Sequence, residues 1–327
     1  MEIVSLGNTG LKVSRLCIGT MTFGSQCDEK TAHMILDFAY DAGIFFIDVA
    51  DVYPTPVSLD TVGLSEKILG KWLKSKPRDS LVVASKCGNI SGAYANSSGL
   101  SRKHIIEACK ASLKRLNLDY IDLYQVHRPD NQTPIEETLE ALAWLKQQGL
   151  VLYMGVSNFE VWRLADAFIT AAKMGLNTLL STVQPRYNLL HREPERELLP
   201  FCKTYGLGVI TYNPLAGGLL TGKYQNPHEI PEEGRFAKGS SYGDLYRSRY
   251  WNEKAFEAVE RLKSVASEVG CTLAQLAIAW ILSNKTICCP ILGATKPEHI
   301  SENVKGAEIV LDREVLSRID QITQEFR

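Results

Sequence analysis

The chain has no hydrophobic run long enough to cross a bilayer. Its most apolar helix-like stretch, Leu273–Leu282, is short and is interrupted by Gln275. It has almost no net charge (-1 at pH 7), so it carries no long-range field of either sign. Neither nucleic acid nor an anionic membrane surface is therefore expected as a partner. Met1–Ser5 shows neither the basic flank nor the apolar core of a signal peptide, which makes the cytoplasm the expected compartment. Paired cysteine spacing is also missing. The eight cysteines (Cys17, Cys27, Cys87, Cys109, Cys202, Cys271, Cys288 and Cys289) form no CxxC motif, and several sit inside apolar runs. They read as small buried hydrophobes in a reducing compartment, not as a disulfide framework or a metal site. The vicinal pair Cys288-Cys289 leaves a redox role open beside strand packing. The glycine-rich dinucleotide fingerprint is absent too, because Gly206-Leu207-Gly208 precedes a strand and lacks the third glycine.

What is present is a repeat. Short apolar runs alternate with amphipathic helical stretches, and no low-complexity linker intervenes. The eight runs are Leu16–Gly19, Ile44–Asp48, Leu81–Lys86, Ile121–His127, Leu152–Ser157, Leu179–Gln184, Gly208–Asn213 and Ile287–Leu292. Between them, Lys30–Ala42 stops at Gly43, and Ile135–Gln148 lies between Pro134 and Gly149. Leu64–Lys74 and Ser101–Leu116 have the same punctuation. Continuous apolar strands separated by helices predict a parallel sheet covered on both faces. Eight such units predict a closed (β/α)8 barrel, one domain over residues 1–327.

Two segments decorate the repeat. Glu2–Val13, with Gly7-Asn8-Thr9-Gly10 at its centre, predicts a hairpin that plugs the N-terminal end of the barrel. Lys223–Trp251, rich in Gly, Pro, Tyr and charge, is an insertion before the last strand. It reads either as a lid over a bound cofactor or as a disordered excursion.

Chemistry in a barrel gathers at the C-terminal ends of the strands. Those ends offer Asp48 with Tyr53 in the loop beyond it, then Lys86, His127, Ser157-Asn158, Gln184 and Tyr212-Asn213. Each has an ordinary reading: Asp48 as a helix cap, Lys86 as a surface lysine, Tyr53 as a packing residue, His127 as a satisfied core histidine. Four ionisable groups around three successive strand mouths favour a site, since groups sharing a cavity must pair or shift their pKa values. A phenol titrates near 10. A neighbouring lysine cation lowers that value, and an aspartate keeps the lysine charged and oriented. An imidazole beside them can orient a substrate oxygen. The set is therefore suited to giving a proton to an oxygen on which negative charge develops. It holds no activated Ser or Cys nucleophile and lacks a source of electrons, which a hydride-carrying cofactor would supply.

Several stretches are specific enough to carry a resemblance. They are Leu6–Ser14, Asp48–Tyr53, Asp119–Tyr124, Gly155–Phe159, Tyr212–Lys223, and Gly293-Ala294-Thr295 ahead of Glu302-Asn303. Over essentially its whole length the chain resembles the aldo-keto reductases, and its wording is similar to the bacterial and potassium-channel β-subunit-like branches. The resemblance implies NADPH extended across the barrel mouth and a catalytic tetrad of Asp48, Tyr53, Lys86 and His127. It implies that Ser157, Asn158 and Gln184 hold the nicotinamide carboxamide and that Tyr212 stacks on the ring. Leu215–Lys223, with Asn213, Pro214, Gly217 and Leu219, would wrap the pyrophosphate. Gly293, Thr295, Lys296, His299, Glu302 and Asn303 would surround the adenosine phosphate and base, and Gly19, Thr20 and Met21 would line the cofactor near the reacting centre.

The sequence departs from the family pattern at Val49, where Thr is usual, and at Pro54, where Gly is usual. It also has His299 where many members place Arg near the 2′-phosphate. A neutral imidazole binds phosphate more weakly than a guanidinium fork, so NAD stands beside NADP as a cofactor. The expected activity is reduction of a small aldehyde or ketone. The rival readings are a cofactor-sensing binding subunit with slow catalysis, and a Schiff-base lysine at Lys86. Phe23, Pro54, Asn89, Arg128 and Trp251 are candidate substrate-pocket walls.

Overall fold

A computed structural model describes residues 1–327, the side chain of Ser241 excepted. Two short strands open the chain, β1 (Ile3–Ser5) and β2 (Lys12–Ser14), paired antiparallel with Val4 opposite Val13. Eight more follow: β3 (Cys17–Gly19), β4 (Phe46–Asp48), β5 (Val82–Cys87), β6 (Ile121–Val126), β7 (Val151–Ser157), β8 (Leu180–Gln184), β9 (Gly208–Thr211) and β10 (Ile287–Gly293). Each pairs in parallel with the next, and β10 closes on β3. The eight apolar runs are these eight strands, with ends displaced by a residue or two where ladder bonds stop.

Helices α1 (Glu29–Asp41), α2 (Leu64–Leu73), α3 (Arg102–Leu116), α4 (Ile135–Gln147), α5 (Val161–Lys173) and α6 (Leu198–Tyr205) follow β3 to β8 in turn. Three lie between β9 and β10: α7 (Ser241–Tyr250), α8 (Glu253–Val269) and α9 (Leu273–Ser283). Two follow β10: α10 (Pro297–Gly306) and α11 (Arg313–Thr323). Helix α10 packs on both α9 and α1 and completes the ring, while α8 and α11 pair together. The helix limits come from local chemistry. Asp28 and Ser101 cap α1 and α3 by accepting from Thr31 and His104 amides, and Thr272 with Gln275 forms a capping box on α9. Gly43 and Gly149 stop α1 and α4 with φ of 81° and 70°, a region that L side chains rarely adopt. No single helix among the described residues is long and apolar enough to cross a membrane.

Strand alternation sorts the core into two regions. Side chains such as Ile47 and Val83 point outward and pack under the helices. Phe46, Val82, Ala84, Leu123 and Ile210 point inward and fill the lower barrel. The hairpin supplies the floor: Leu6 and Val13 are fully buried against this inner cluster, and the Asn8 amide donates to Gly206 O at 2.8 Å. The same alternation decides where the polar residues go. Asp48 lies two residues beyond Phe46 and Lys86 two beyond Ala84, so both point into the barrel above its apolar layer.

All eight cysteines are free and, apart from partly exposed Cys271, buried. Burial pushes the thiols of Cys288 and Cys289 up, away from the reactive thiolate, which argues against the redox reading of that pair. The insertion is ordered. Phe236 is fully buried and packs edge-on or tilted against Tyr224, Tyr246 and Trp251, with centroids 5.2, 6.0 and 4.8 Å away. Its aromatics give it a core of its own, which decides against the disordered excursion.

Candidate active site

A cavity of about 640 Å³ opens over the C-terminal ends of the strands, roofed by the insertion. At its floor the Lys86 ammonium is hydrogen-bonded to Asp48 Oδ1 and donates to Val49 O at 3.1 Å. Gln184 Nε2 donates to Asp48 Oδ2 at 2.9 Å, and the Thr20 amide holds the Asp48 carbonyl at 3.0 Å. Lys86 is fully buried and Asp48, which borders the cavity, is 3% exposed, so the ion pair is largely withdrawn from water. Above it, Lys86 Nζ lies 5.2 Å from the Tyr53 ring centroid. The Tyr53 and His127 rings meet edge to face, with centroids 5.8 Å apart. Backbone bonds fix Tyr53 from both sides: its amide donates to Ala50 O at 3.2 Å and its carbonyl accepts from Ser65 N at 3.2 Å.

The electrostatics differ from expectation at one point. Lys86 does not draw the Tyr53 phenol down. Burial first, then the Asp48 carboxylate, holds it well above its usual value. The main reason is desolvation, which penalises the charged phenolate, and the Asp48 carboxylate adds to it. The Tyr53 phenol therefore keeps its proton at neutral pH. Burial, followed by Lys86 and Arg128, pushes the His127 imidazole well below its usual value, so it is neutral near pH 7.

Most of the residues that the resemblance assigned to a cofactor line the same cavity. These are Gly19, Met21, Asp48, Ser157, Asn158, Gln184, Tyr212, Asn213, Pro214, Leu215, Gly217, Lys223, Gly293, Thr295, His299, Glu302 and Asn303. Four of the expected site residues do not form its wall. Lys86 lies beneath Asp48, Thr20 turns its hydroxyl to Asp48 O, Leu219 is fully buried in the core, and Lys296 stands outside. Lys86 is thus withdrawn from any carbonyl carbon, which removes the Schiff-base reading. Among the suggested substrate walls only Asn89 lines the cavity. Phe23 and Pro54 are buried in packing, Arg128 lies outside, and Trp251 props the insertion from below, with Nε1 donating to Pro227 O at 2.7 Å. The Val49 side chain faces the outer core, so that departure does not touch the cavity.

Asn158 commits its amide to the protein itself. Its Nδ2 donates to His127 O at 2.9 Å and its Oδ1 accepts from the Tyr212 hydroxyl at 2.8 Å, which ties three strand mouths together. After β9 the chain turns sharply through Gly217 (φ 71°) and Gly218 (φ 101°), and a Cβ on Gly217 would lie 2.5 Å from Tyr246 Cδ1. The Gly217 amide is fixed by Asn213 Oδ1 at 2.8 Å. Only glycine allows this turn under the aromatic roof. Sequence reasoning missed the roof residues that line the cavity, Arg235, Tyr242, Tyr246 and Arg249. An insertion has no strand end to mark it, so the one available signal was its density of Tyr and Arg. No group of three or more His, Cys, Asp or Glu suited to holding a metal exists among the described residues.

The aldo/keto reductase family model matches residues 15–324. A protein of Oryza sativa subsp. japonica, called a probable voltage-gated potassium channel subunit beta, is 40% identical over 99% of this chain and 97% of its own length. The protein of that name from Arabidopsis thaliana is 40% identical over 99% of this chain and 97% of its own. A Bacillus subtilis (strain 168) protein, the uncharacterized oxidoreductase YrpG, is 38% identical over 98% of this chain and 96% of its own.

Proposed function

The chain belongs to the aldo/keto reductase family, a family of oxidoreductases that generally use nicotinamide cofactors, and we propose that it reduces an aldehyde or ketone, with Tyr53 giving the proton to the carbonyl oxygen. One observation carries this reading: Tyr53 stands between a buried Asp48–Lys86 pair and His127 at the floor of a single cavity. The residues fit a nicotinamide dinucleotide phosphate. Lys223 stands beside the Gly217-Gly218 turn and Arg235 beside Gly293, two places where glycine leaves backbone open to a phosphate, and no ion pair to a carboxylate engages either cation among the described residues. Gln184, with one amide group on Asp48, keeps its carbonyl oxygen for a carboxamide, and Tyr212 offers a ring face. The bound reduced cofactor supplies the hydride.

The chain's own residues do the rest. The neutral imidazole of His127 orients the carbonyl oxygen without adding a charge that would compete with the phenol for it. As negative charge grows on that oxygen the Tyr53 proton moves to it, and the Lys86 ammonium, held by Asp48, stabilises the phenolate left behind. Multi-turnover oxidation of NADPH by a panel of aldehydes, ketones and sugars tests the reading. Tight cofactor binding without turnover of any carbonyl would overturn it.

The pH profile is a second check. Because His127 titrates well below its usual value of about 6.5, the rate of reduction is expected to show no inflection near that pH. Stability carries the matching sign. The unfolded chain takes up a proton on this imidazole below about pH 6.5 and the folded one does not, so this group destabilises the fold as the pH falls further. A bell-shaped rate profile with a limb near 6.5 would remove His127 from the neutral role.

Cofactor choice turns on His299. Burial, then Lys296 and Lys223, lowers its pKa, and Nδ1 accepts from the Thr295 amide at 3.4 Å. It can therefore offer a phosphate a hydrogen bond but no charge. His299→Arg is expected to raise the NADPH-over-NADH preference, read as a ratio of dissociation constants, by about tenfold, roughly 1.4 kcal/mol. An unchanged ratio would place the 2′-phosphate elsewhere.

The names of the plant relatives favour a second reading, in which the barrel binds the cofactor as a subunit of a larger assembly and turns over slowly. Both readings need the same cavity. Rapid turnover with simple carbonyls separates them in favour of the enzyme.

A further inference from the structure

The insertion brings a cation into the cavity that the proton chemistry does not use. Arg249, near the end of α7, lines the cavity wall 5.7 Å from the Tyr246 ring centroid. Among the described residues it pairs with no carboxylate. Its backbone is nonetheless held firmly. The next residue, Tyr250, is 1% exposed, and its hydroxyl accepts from Asn213 Nδ2 at 2.8 Å and Asn188 Nδ2 at 3.1 Å. Beyond it Trp251 is fastened to Pro227.

A second guanidinium stands nearby. Arg186 lies over the other ring of this group, 5.8 Å from the Tyr250 centroid, and donates to His191 Nδ1 at 3.3 Å. It too lacks a carboxylate partner among the described residues. Burial, then Arg186 and Arg249, pushes His191 down to about 4, so the histidine between them gives up its proton instead of adding a third charge. Arg186 stands behind the wall that Arg249 lines, and a cation fixed at a cavity wall without a counter-ion is costly unless a ligand brings the opposite charge. The cofactor's phosphates have cations elsewhere: a Cβ on Gly218 would lie 3.6 Å from Lys223 Nζ, and one on Gly293 would lie 3.1 Å from an Arg235 nitrogen.

We propose that Arg249, supported by Arg186, anchors an anionic group on the substrate, so that the preferred carbonyl compounds carry a carboxylate or a phosphate. This substrate class rests on the carbonyl-reductase reading above. Guanidinium geometry suits both anions through paired N–H donors.

Steady-state kinetics with matched pairs provides the test. Succinic semialdehyde is compared with 4-oxobutanamide for the carboxylate, and dihydroxyacetone phosphate with dihydroxyacetone for the phosphate. The native chain is expected to favour the charged member of at least one pair in kcat/KM. Arg249→Gln should lower that ratio at least tenfold, and Arg249→Lys should recover part of it. No hydrogen bond or ion pair engages the Arg249 side chain among the described residues, and its one ring contact, to Tyr246, is of a kind that contributes about 0.5–1 kcal/mol, so neither variant puts folding at risk. An unchanged ratio in both pairs would overturn the proposal, as would a tenfold loss of cofactor affinity with the ratio intact. Calorimetry of the NADPH-loaded protein with succinate and with glycerol 3-phosphate keeps the anion site apart from the chemistry. Binding that Arg249→Gln weakens tenfold supports the site even if no carbonyl is reduced. Absence of binding to the native chain sinks the site even if neutral carbonyls are turned over.

Discussion

Tyr53→Phe is expected to lower kcat for carbonyl reduction about a thousandfold while leaving the cofactor dissociation constant within about twofold, since a positioned proton donor contributes roughly 10²–10⁴ in rate. The substitution is clean. No hydrogen bond within the chain engages the Tyr53 hydroxyl among the described residues, and the hydroxyl borders the cavity, so its removal orphans no buried partner. The ring itself, which meets His127 and Lys86, is retained in Phe. Single-turnover rates, cofactor titration and a thermal midpoint measured on the same preparation separate the effects. A variant with native kcat would take the proton chemistry away from Tyr53. One that loses cofactor binding and rate together would make Tyr53 a structural residue.

The barrel was legible because its signal is repeated. Eight apolar runs with helices between them leave few other ways to bury both faces of a sheet, and an error in one run does not change the count. The floor of the site was legible for the same reason. Asp48, Lys86, His127 and Gln184 stand at or just beyond strand ends, and period-two alternation assigns each a direction. The balance of effects at Tyr53 was not legible. From the residues alone Lys86 is expected to pull the phenol down, whereas the depth at which the ring is buried, with the Asp48 carboxylate near it, holds the phenol up. The roof was legible as a segment, Lys223–Trp251, but not residue by residue. Arg235, Tyr242, Tyr246 and Arg249 belong to a segment with no periodicity, and Phe236 and Trp251 fold it by aromatic contacts that follow no spacing rule. Thr20 and Leu219 show the converse error. Thr20 follows the end of β3 and Leu219 lies within a stretch that matches the family, yet the strand end and the glycine turn point their side chains into the protein.

The Asp48–Lys86 pair gives the second large effect, and its pH dependence identifies it. Asp48→Asn leaves a fully buried ammonium without its counter-charge, and Lys86→Met leaves a buried carboxylate with only the Gln184 amide and the solvated side of the cavity. Breaking a buried pair from one side costs about 3–5 kcal/mol. For a chain of this size that corresponds to a fall in thermal midpoint of roughly 4–7 °C. The two variants should respond to pH in opposite directions. In Asp48→Asn the folded chain relieves itself by releasing the lysine proton, which the unfolded chain keeps, so its deficit shrinks as the pH rises. In Lys86→Met the folded chain relieves itself by taking a proton on Asp48, which the unfolded chain lacks above about pH 4, so its deficit shrinks as the pH falls. The double variant Asp48→Asn/Lys86→Met removes both charges. It should regain most of the lost midpoint and none of the activity, because the phenolate formed at Tyr53 then has no cation beneath it. Midpoints of all four proteins between pH 5 and 9, with kcat measured alongside, decide the matter. Parallel pH curves for the two single variants would show that the pair is not isolated from water. A double variant with native kcat would show that Tyr53 gives up its proton without Lys86.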